Sequence, residues 1–404
     1  MKAMGPVPAD FRAAPDGALL LGPWRAEDLL QEQGPTPLFA YDMALVVERA
    51  RRFRQAMPRE VRLHYAMKAN PFPPLLGAIG PLVDGFDVAS WRELLAVQQA
   101  CGRQVRLSIA GPGKPDFEAA HEQARGVTLN LESEGEYERF ADGASNAFAV
   151  RVNPPFGLKG SGMKMGGLAS PFGVDHDRVP ALVRRILDSG AQWRGLHVYA
   201  GSQSLSAEAI AQMQRATVAL AGEIAAAVGA APPEVNLGGG FGIPYFAGDR
   251  PLDVEAVGAA LAETLAERPA ILRDTKFTIE LGRWLVGECG VYLTRVVDRK
   301  VSRGKTFLVV DGGLHHMLAA SGNFGQLLRR NYPVALAGRF GAEPEEEVSV
   351  VGCLCTPLDL LADEVMLPRA QVGDVIAIFC AGAYGLSSSP TGFLSQPSAR
   401  EVLV

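Results

Sequence analysis

The stretch Val61-Arg-Leu-His-Tyr-Ala-Met-Lys68, "VRLHYAMK", decides how the chain is read, because it is a short apolar run ending on a lysine. Such a run is a strand candidate. Others like it recur along the first two-thirds of the chain: "LFAYD" (38–42), "VDGFDV" (83–88), "VRLSIA" (105–110), "VTLNLE" (127–132), "AFAVRVN" (147–153), "WRGLHVYA" (193–200), "EVNLGGG" (234–240) and "KFTIELG" (276–282). Between them lie amphipathic or alanine-rich segments such as Trp91–Ala100, Val179–Asp188, Ala207–Val228 and Val254–Glu267. Strands alternating with helices make a parallel sheet. Eight or nine units over roughly 245 residues fit a closed (β/α)8 TIM barrel better than an open doubly wound sheet.

After Gly282 the rhythm changes to strand-like runs separated by turns: "GVYLTRVVDRKV", "KTFLVVDGG", "EEEVSVVG", "DEVMLP" and "DVIAIF". The expected architecture is therefore α/β, with residues 36–283 as the barrel. Residues 284–404 form a second, mostly β domain, completed by residues 1–35.

At 404 residues the chain is too long for one ordinary core. A formal net charge of −5 gives no general attraction to nucleic acid or anionic membrane. No apolar run reaches the ~20 residues that cross a bilayer, and "MKAMGPVPADFRAAPDG" lacks a signal peptide's apolar core, so a cytoplasmic protein is expected. Cys101, Cys289, Cys353, Cys355 and Cys380 are scattered and odd in number, which suits free thiols. The six histidines are dispersed and Cys353/Cys355 lack a second ligand pair, so no metal is expected.

Barrel enzymes work where strands end. Lys68 ends one strand, as a surface lysine or as a Schiff-base lysine whose pKa is lowered by burial or a neighbouring cation. Gly238-Gly239-Gly240 ends another, either as a tight turn or as a backbone cradle for phosphate. Tyr199 and Ser202 of "YAGSQ" offer a flat face and a hydroxyl, while Glu280 and Arg283 of "ELGR" offer a ring-nitrogen partner and a bidentate cation. A lysine, an acid, an aromatic face and a phosphate cradle together suggest pyridoxal 5'-phosphate.

The motifs "HYAMKAN", "GFDVAS", "LHVYAGSQ", "NLGGGFG", "ELGRWLVGECG", "CTPLD" and "GAYG" cover nearly the whole chain. On them it resembles the fold-type III pyridoxal-phosphate decarboxylases, the alanine-racemase-like group that includes the ornithine, arginine and diaminopimelate enzymes. The resemblance implies an amino-acid carboxy-lyase in which Lys68 holds the cofactor and Asp87 and Arg151 line its side. Ser202, Gly239, Gly240, Gly282 and Arg283 would take the phosphate, with Tyr384 reaching it from the partner subunit. Glu280 would face the pyridine nitrogen, and Cys355 would return a proton across a homodimer boundary. Tyr199 stands where the family's stacking histidine is usual, and His197 is either a core histidine or a pocket residue.

The same resemblance places His315, Thr356 and Asp359 near the substrate. Family members acting on basic amino acids carry an acid after the catalytic cysteine; here Thr356 follows Cys355. An Arg-Pro pair marks diaminopimelate enzymes; here Ala319-Ala320 stands there. A buried ammonium without a carboxylate partner is costly. The expected substrate is therefore an α-amino acid with a neutral or carrier-tethered far end, such as glutamyl-acyl-carrier protein. "GSGMKMGG" and "CLCTPLD" most resemble an exosortase- and exopolysaccharide-linked branch, and Lys159 and Lys164 could meet an acidic carrier. The alternatives are a free diaminopimelate, ornithine or lysine substrate, or a racemase-like enzyme.

Overall fold

The computed structural model describes residues 2–114, 126–141, 146–158, 163–164, 167–324, 326 and 328–404, with only the backbone of Met163 and Lys164. The chain divides into one unit of residues 49–243 and 251–282 and another of residues 1–48, 244–250 and 283–404.

The first unit is a closed parallel barrel. Its strands are β1 (Val61–Ala66), β2 (Gly85–Val88), β3 (Leu107–Ile109), β4 (Thr128–Leu131), β5 (Ala147–Asn153), β6 (Gln192–Val198), β7 (Glu234–Asn236) and β8 (Lys276–Leu281). Each pairs with its neighbours in the order β5-β6-β7-β8-β1-β2-β3-β4, and β4 closes the ring onto β5 through Leu129↔Phe148 and Leu131↔Val150. Burial explains the composition: every residue of β5 is buried, as expected where helices cover one face of a strand and the barrel core the other.

Local chemistry sets the helices. Ser90, Ser206 and Asp253 each accept a backbone N–H of the first turn beyond them, at Glu93, Ala209 and Ala256. Val179–Asp188 buries Val179, Leu182, Val183 and Ile186, the three-and-four spacing of one helical face. Ala207–Val228 stops at Gly229, which takes a left-handed φ of 83°. Helix Val254–Ala266 comes so close to the chain at Ala56 that a Cβ on Gly258 would lie 1.9 Å from the Ala56 carbonyl oxygen.

The second unit is a mostly β, nearly closed barrel. One path runs Val334–Leu336, Val375–Ile378, Gly290–Ser302, Lys305–Val310, Glu346–Val351, Leu360–Leu367. The N-terminal segment completes its core, with Phe11, Leu19, Leu21 and Leu29 packed among Val291, Leu293 and Phe379. "LFAYD", read by alternation as a barrel run, belongs here instead: Leu38–Tyr41 pairs antiparallel with Gly290–Leu293 and parallel with Arg400–Leu403. All four of its residues are buried, and a run without alternation does not say which sheet it enters. Met163–Lys164, between β5 and β6, forms a two-residue strand against Gly201–Ser202.

Among the described residues no helix is long and apolar enough to cross a membrane, and no cluster of His, Cys, Asp or Glu could hold a metal. Gly258→Ala is expected to destabilise the barrel by about 1–3 kcal/mol, because the added methyl meets backbone that cannot rotate away. Urea unfolding followed by far-UV circular dichroism measures it.

Candidate active site

A closed parallel barrel gathers all its strand ends at one rim. β1 stops at Ala66 and turns through Met67–Ala69, where Met67 and Ala69 are buried and Lys68 is exposed. The Lys68 ammonium lies 5.2 Å from the centre of the Tyr199 ring, within reach of its negative face.

Glu280, near the end of β8, is 7% exposed. Its Oε2 lies 3.2 Å from Nε2 of His197 on β6 and 3.3 Å from Nδ2 of Asn236 on β7. Burial alone would raise its pKa, but the His197 imidazole and the cations Lys68 and Arg151 outweigh burial and hold the carboxyl at about 2. His197 is thus a buried polar member of the rim, and its Nδ1 has no hydrogen-bond partner among the described residues.

Arg151, on β5, is buried and held from behind. Its Nη1 donates to Glu132 Oε1 at 2.8 Å, and its guanidinium lies 5.0 Å from the Phe172 ring centre. Glu132 also accepts the N–H groups of Gly111 and Gly173, and despite burial its pKa is lowered by Arg151, Lys114 and the Gly111 bond. Asp87, on β2, stands 3.4 Å from Nδ1 of His64 on β1. Burial opposes a charge on His64, yet Asp87 lifts its pKa above the ordinary value. Glu132, His64 and Asn236 were not foreseen as site residues. Glu132 carried a signal, a carboxylate closing the apolar run "VTLNL"; His64 and Asn236 looked like any polar residue within a strand.

The glycine turn after β7 is bare backbone packed on backbone. Gly238 and Gly240 have φ of 70° and 80°. A Cβ on Gly239 would lie 1.8 Å from the Glu280 carbonyl oxygen, and one on Gly240 2.5 Å from that of Gly201. Ser202, half-buried, follows Gly201 in the strand that pairs with Met163–Lys164. Gly282 abuts the turn of Lys68, where a Cβ would meet the Ala69 methyl at 2.7 Å and the Ala66 carbonyl oxygen at 3.0 Å.

In the other unit, Arg283 donates from Nη1 to the Tyr245 hydroxyl at 2.9 Å and lies 4.6 Å from the Tyr384 ring centre. Tyr384, expected from the partner subunit, therefore packs on its own chain. Close contact explains this: a Cβ on Gly382 would lie 1.8 Å from the Val286 carbonyl oxygen, so the 381–385 segment lies against the turn Arg283–Val286.

Cys355 is exposed and Cys353 half-buried, on a turn that follows strand Glu346–Val351. The turn folds around Asp359, whose buried carboxylate accepts Leu314 N–H at 2.6 Å and Leu354 N–H at 2.8 Å. A Cβ on Gly313 or Gly352 would meet that carboxylate within 2.5 Å, so Asp359 ties "DGGLHH" to "CLCTPLD". Burial outweighs these bonds and raises its pKa. Thr356 is half-buried, with its hydroxyl accepting Leu358 N–H. His315 is fully buried against His316, and burial with that neighbour lowers its pKa to about 4. Lys159 and the Lys164 side chain lie outside the described residues.

Residues 43–287 match the family model described as pyridoxal-dependent decarboxylase, pyridoxal binding domain. The chain is 32% identical to the L-glutamyl-[BtrI acyl-carrier protein] decarboxylase of Niallia circulans, over 93% of this chain and 90% of that protein. It is 31% identical to the diaminopimelate decarboxylase of Methanothermobacter thermautotrophicus, over 98% and 92%. The diaminopimelate decarboxylase structure from M. jannaschii in complex with L-lysine superposes with a TM-score of 0.86, covering 98% of this chain and 93% of that one at 24% identity, which speaks for the fold alone.

Glu280 sets a pH dependence. Its pKa falls from an ordinary 4.5 when unfolded to about 2 when folded, so its contribution to stability is full above pH 4.5 and is lost as pH falls through about 2. The stability difference between the parent and Glu280→Gln, in cofactor-free protein, is expected to shrink steadily as urea titrations move down that window. A difference that is flat with pH would contradict the assignment. Gly282→Ala, in turn, is expected to lower cofactor content by displacing the Lys68 turn, with the rest of the fold retained by circular dichroism.

Proposed function

The chain belongs to the pyridoxal-dependent decarboxylases and is an amino-acid decarboxylase with pyridoxal 5'-phosphate as cofactor; on that premise we propose that it releases CO2 from a free α-amino acid of the diaminopimelate, ornithine or lysine kind. The recurrence of diaminopimelate decarboxylases among relatives at 31–33% identity over most of both chains supports this substrate class. The buried Glu280, ionised among His197, Lys68 and Arg151, carries the assignment of the site.

The residues of the rim fit the cofactor. The glycine turn offers the N–H groups of Gly239 and Gly240 to a phosphate, that of Gly238 being donated to Asn236, and the carboxylate of Glu280 suits a protonated ring nitrogen. Lys68 holds the cofactor covalently, and Tyr199, beside its ammonium, supplies the flat face. Gly239, Gly240, Gly282 and the Ser202 hydroxyl bind the phosphate. Arg283, next to Gly282 in the chain and stacked on Tyr384, adds its cation. Asp87 and Arg151 flank the ring, Arg151 oriented by Glu132. Pyridoxal phosphate, when bound, supplies the electron sink into which the bond between Cα and the carboxylate breaks. Glu280 keeps a proton at the ring nitrogen throughout, which its low pKa permits because the carboxylate itself stays ionised. Cys355, exposed on the turn that Asp359 fixes, returns the proton to Cα across a homodimer boundary, with His315 and Thr356 on the substrate side.

One observation favours a second reading. Thr356 after Cys355, and Ala319-Ala320 after "DGG", leave a distal ammonium or carboxylate without the partners expected for it. A substrate with a neutral or carrier-tethered far end fits these residues, as does the similarity to the Niallia circulans protein.

A single panel separates the readings: CO2 release from free diaminopimelate, lysine, ornithine and glutamate, and from glutamate loaded on an acyl-carrier protein. Turnover of a free basic amino acid or diaminopimelate supports the first, and turnover of the carrier-bound group alone supports the second. No CO2 from any member, with cofactor bound, overturns both. Lys68→Ala is expected to lose the cofactor's visible absorbance and all CO2 release. Cys355→Ala should keep the resting absorbance while slowing the protonation that completes amine formation, and lost resting absorbance in that variant would assign the thiol to cofactor binding.

A further inference from the structure

The end of the barrel opposite the Lys68 rim holds a cavity of about 490 Å³. Strand beginnings form its wall: Arg62 in β1, Arg194 in β6, Glu234 in β7 and Lys276 in β8, with Arg103 and Arg106 from the segment entering β3. Barrel interiors are usually filled by layers of branched apolar side chains. Here the deeper wall instead carries the polar side chains of His64, Ser108, Asn130 and Asn236.

The charge is one-sided. Five cations less the one carboxylate of Glu234 leave a formal +4 around this cavity, in a chain whose net charge is −5. Glu234 is already committed: its Oε2 takes Arg62 at 2.7 Å and Arg106 at 2.5 Å, and its Oε1 takes the Thr278 hydroxyl at 2.6 Å. It therefore does not balance Arg103, Arg194 and Lys276. A concave wall of one sign focuses its field and concentrates counter-ions. A second, independent observation points the same way. His64 lines the cavity at 2% exposure, and its Nε2 has no hydrogen-bond partner among the described residues, although its Nδ1 faces Asp87. A buried ring nitrogen left unpaired is costly, so the floor of the cavity is polar where an apolar filling would be expected.

We infer that this N-terminal mouth of the barrel is a binding site for a small polyanion bearing phosphoryl or carboxylate groups, held by Arg103, Arg194 and Lys276 at the entrance. It lies at the opposite ends of the strands from the proposed cofactor phosphate. Asn236 joins the two ends, since its side chain lines the cavity, touches Glu280 at 3.3 Å and accepts the Gly238 N–H at 2.8 Å. Occupancy at the mouth therefore reaches the rim through one side chain.

The test is calorimetric titration of the holoenzyme at fixed ionic strength, with inorganic pyrophosphate in one arm and citrate in the other. Saturable binding of one equivalent per chain is expected, and the tighter probe identifies the ligand's acidic group. The double variant Arg194→Ala/Lys276→Ala changes exposed side chains only, and should weaken binding about tenfold or more with cofactor content unchanged. Absence of saturable binding of either probe overturns the inference. Equal affinity in parent and variant does the same, because it puts the anion elsewhere.

Discussion

Closure of the sheet between β4 and β5 is the constraint on which the barrel's chemistry depends. Once the ring is shut, strand direction alone decides which residues share a rim and which share a base. Lys68, His197, the glycine turn and Glu280 come from segments up to 212 residues apart in the chain and meet because they end, or nearly end, parallel strands. The same closure sends Arg62, Arg194, Glu234 and Lys276 to the other end. A closed barrel also has no edge strand to protect, so its strands can be short and largely buried without inviting pairing from outside.

Electrostatics then arranges the rim in layers. Glu280 is buried but ionised because cations and an imidazole surround it. Arg151, one of those cations, is held by Glu132, which two backbone N–H groups also support. Behind them Lys114 and Glu136, both nearly inaccessible, pair at 2.9 Å, and Glu136 also accepts the Glu132 N–H. A buried ion pair adds little net stability over apolar packing, but removing one partner strands the other at a cost of about 3–5 kcal/mol. This network therefore fixes geometry more than it stabilises the fold.

In the β unit one carboxylate has a comparable positioning role. Asp359 is the common acceptor for two loops far apart in sequence, and glycines at 313 and 352 leave room for it. It sets the conformation of the turn that exposes Cys355.

Much of this was legible in the sequence. Alternation of apolar runs and amphipathic segments named the barrel, since a parallel strand covered on both faces must be apolar and a covering helix must show a three-and-four face. Lys68, Glu280 and the glycine turn stood out because a charged or unsubstituted residue at the end of an apolar run is rarely needed for packing. Tertiary structure alone decided the rest. Leu38–Tyr41 reads like a barrel strand and joins the other sheet, because four buried residues have no period to declare a partner. Tyr384 meets Arg283 of its own chain, and Asp359 meets Leu314, through contacts that no local pattern encodes. His64, Glu132 and Asn236 acquire their partners only when the ring closes. Sequence determines what each segment can bury; which charge faces which depends on register and closure, and these exist only in the folded barrel.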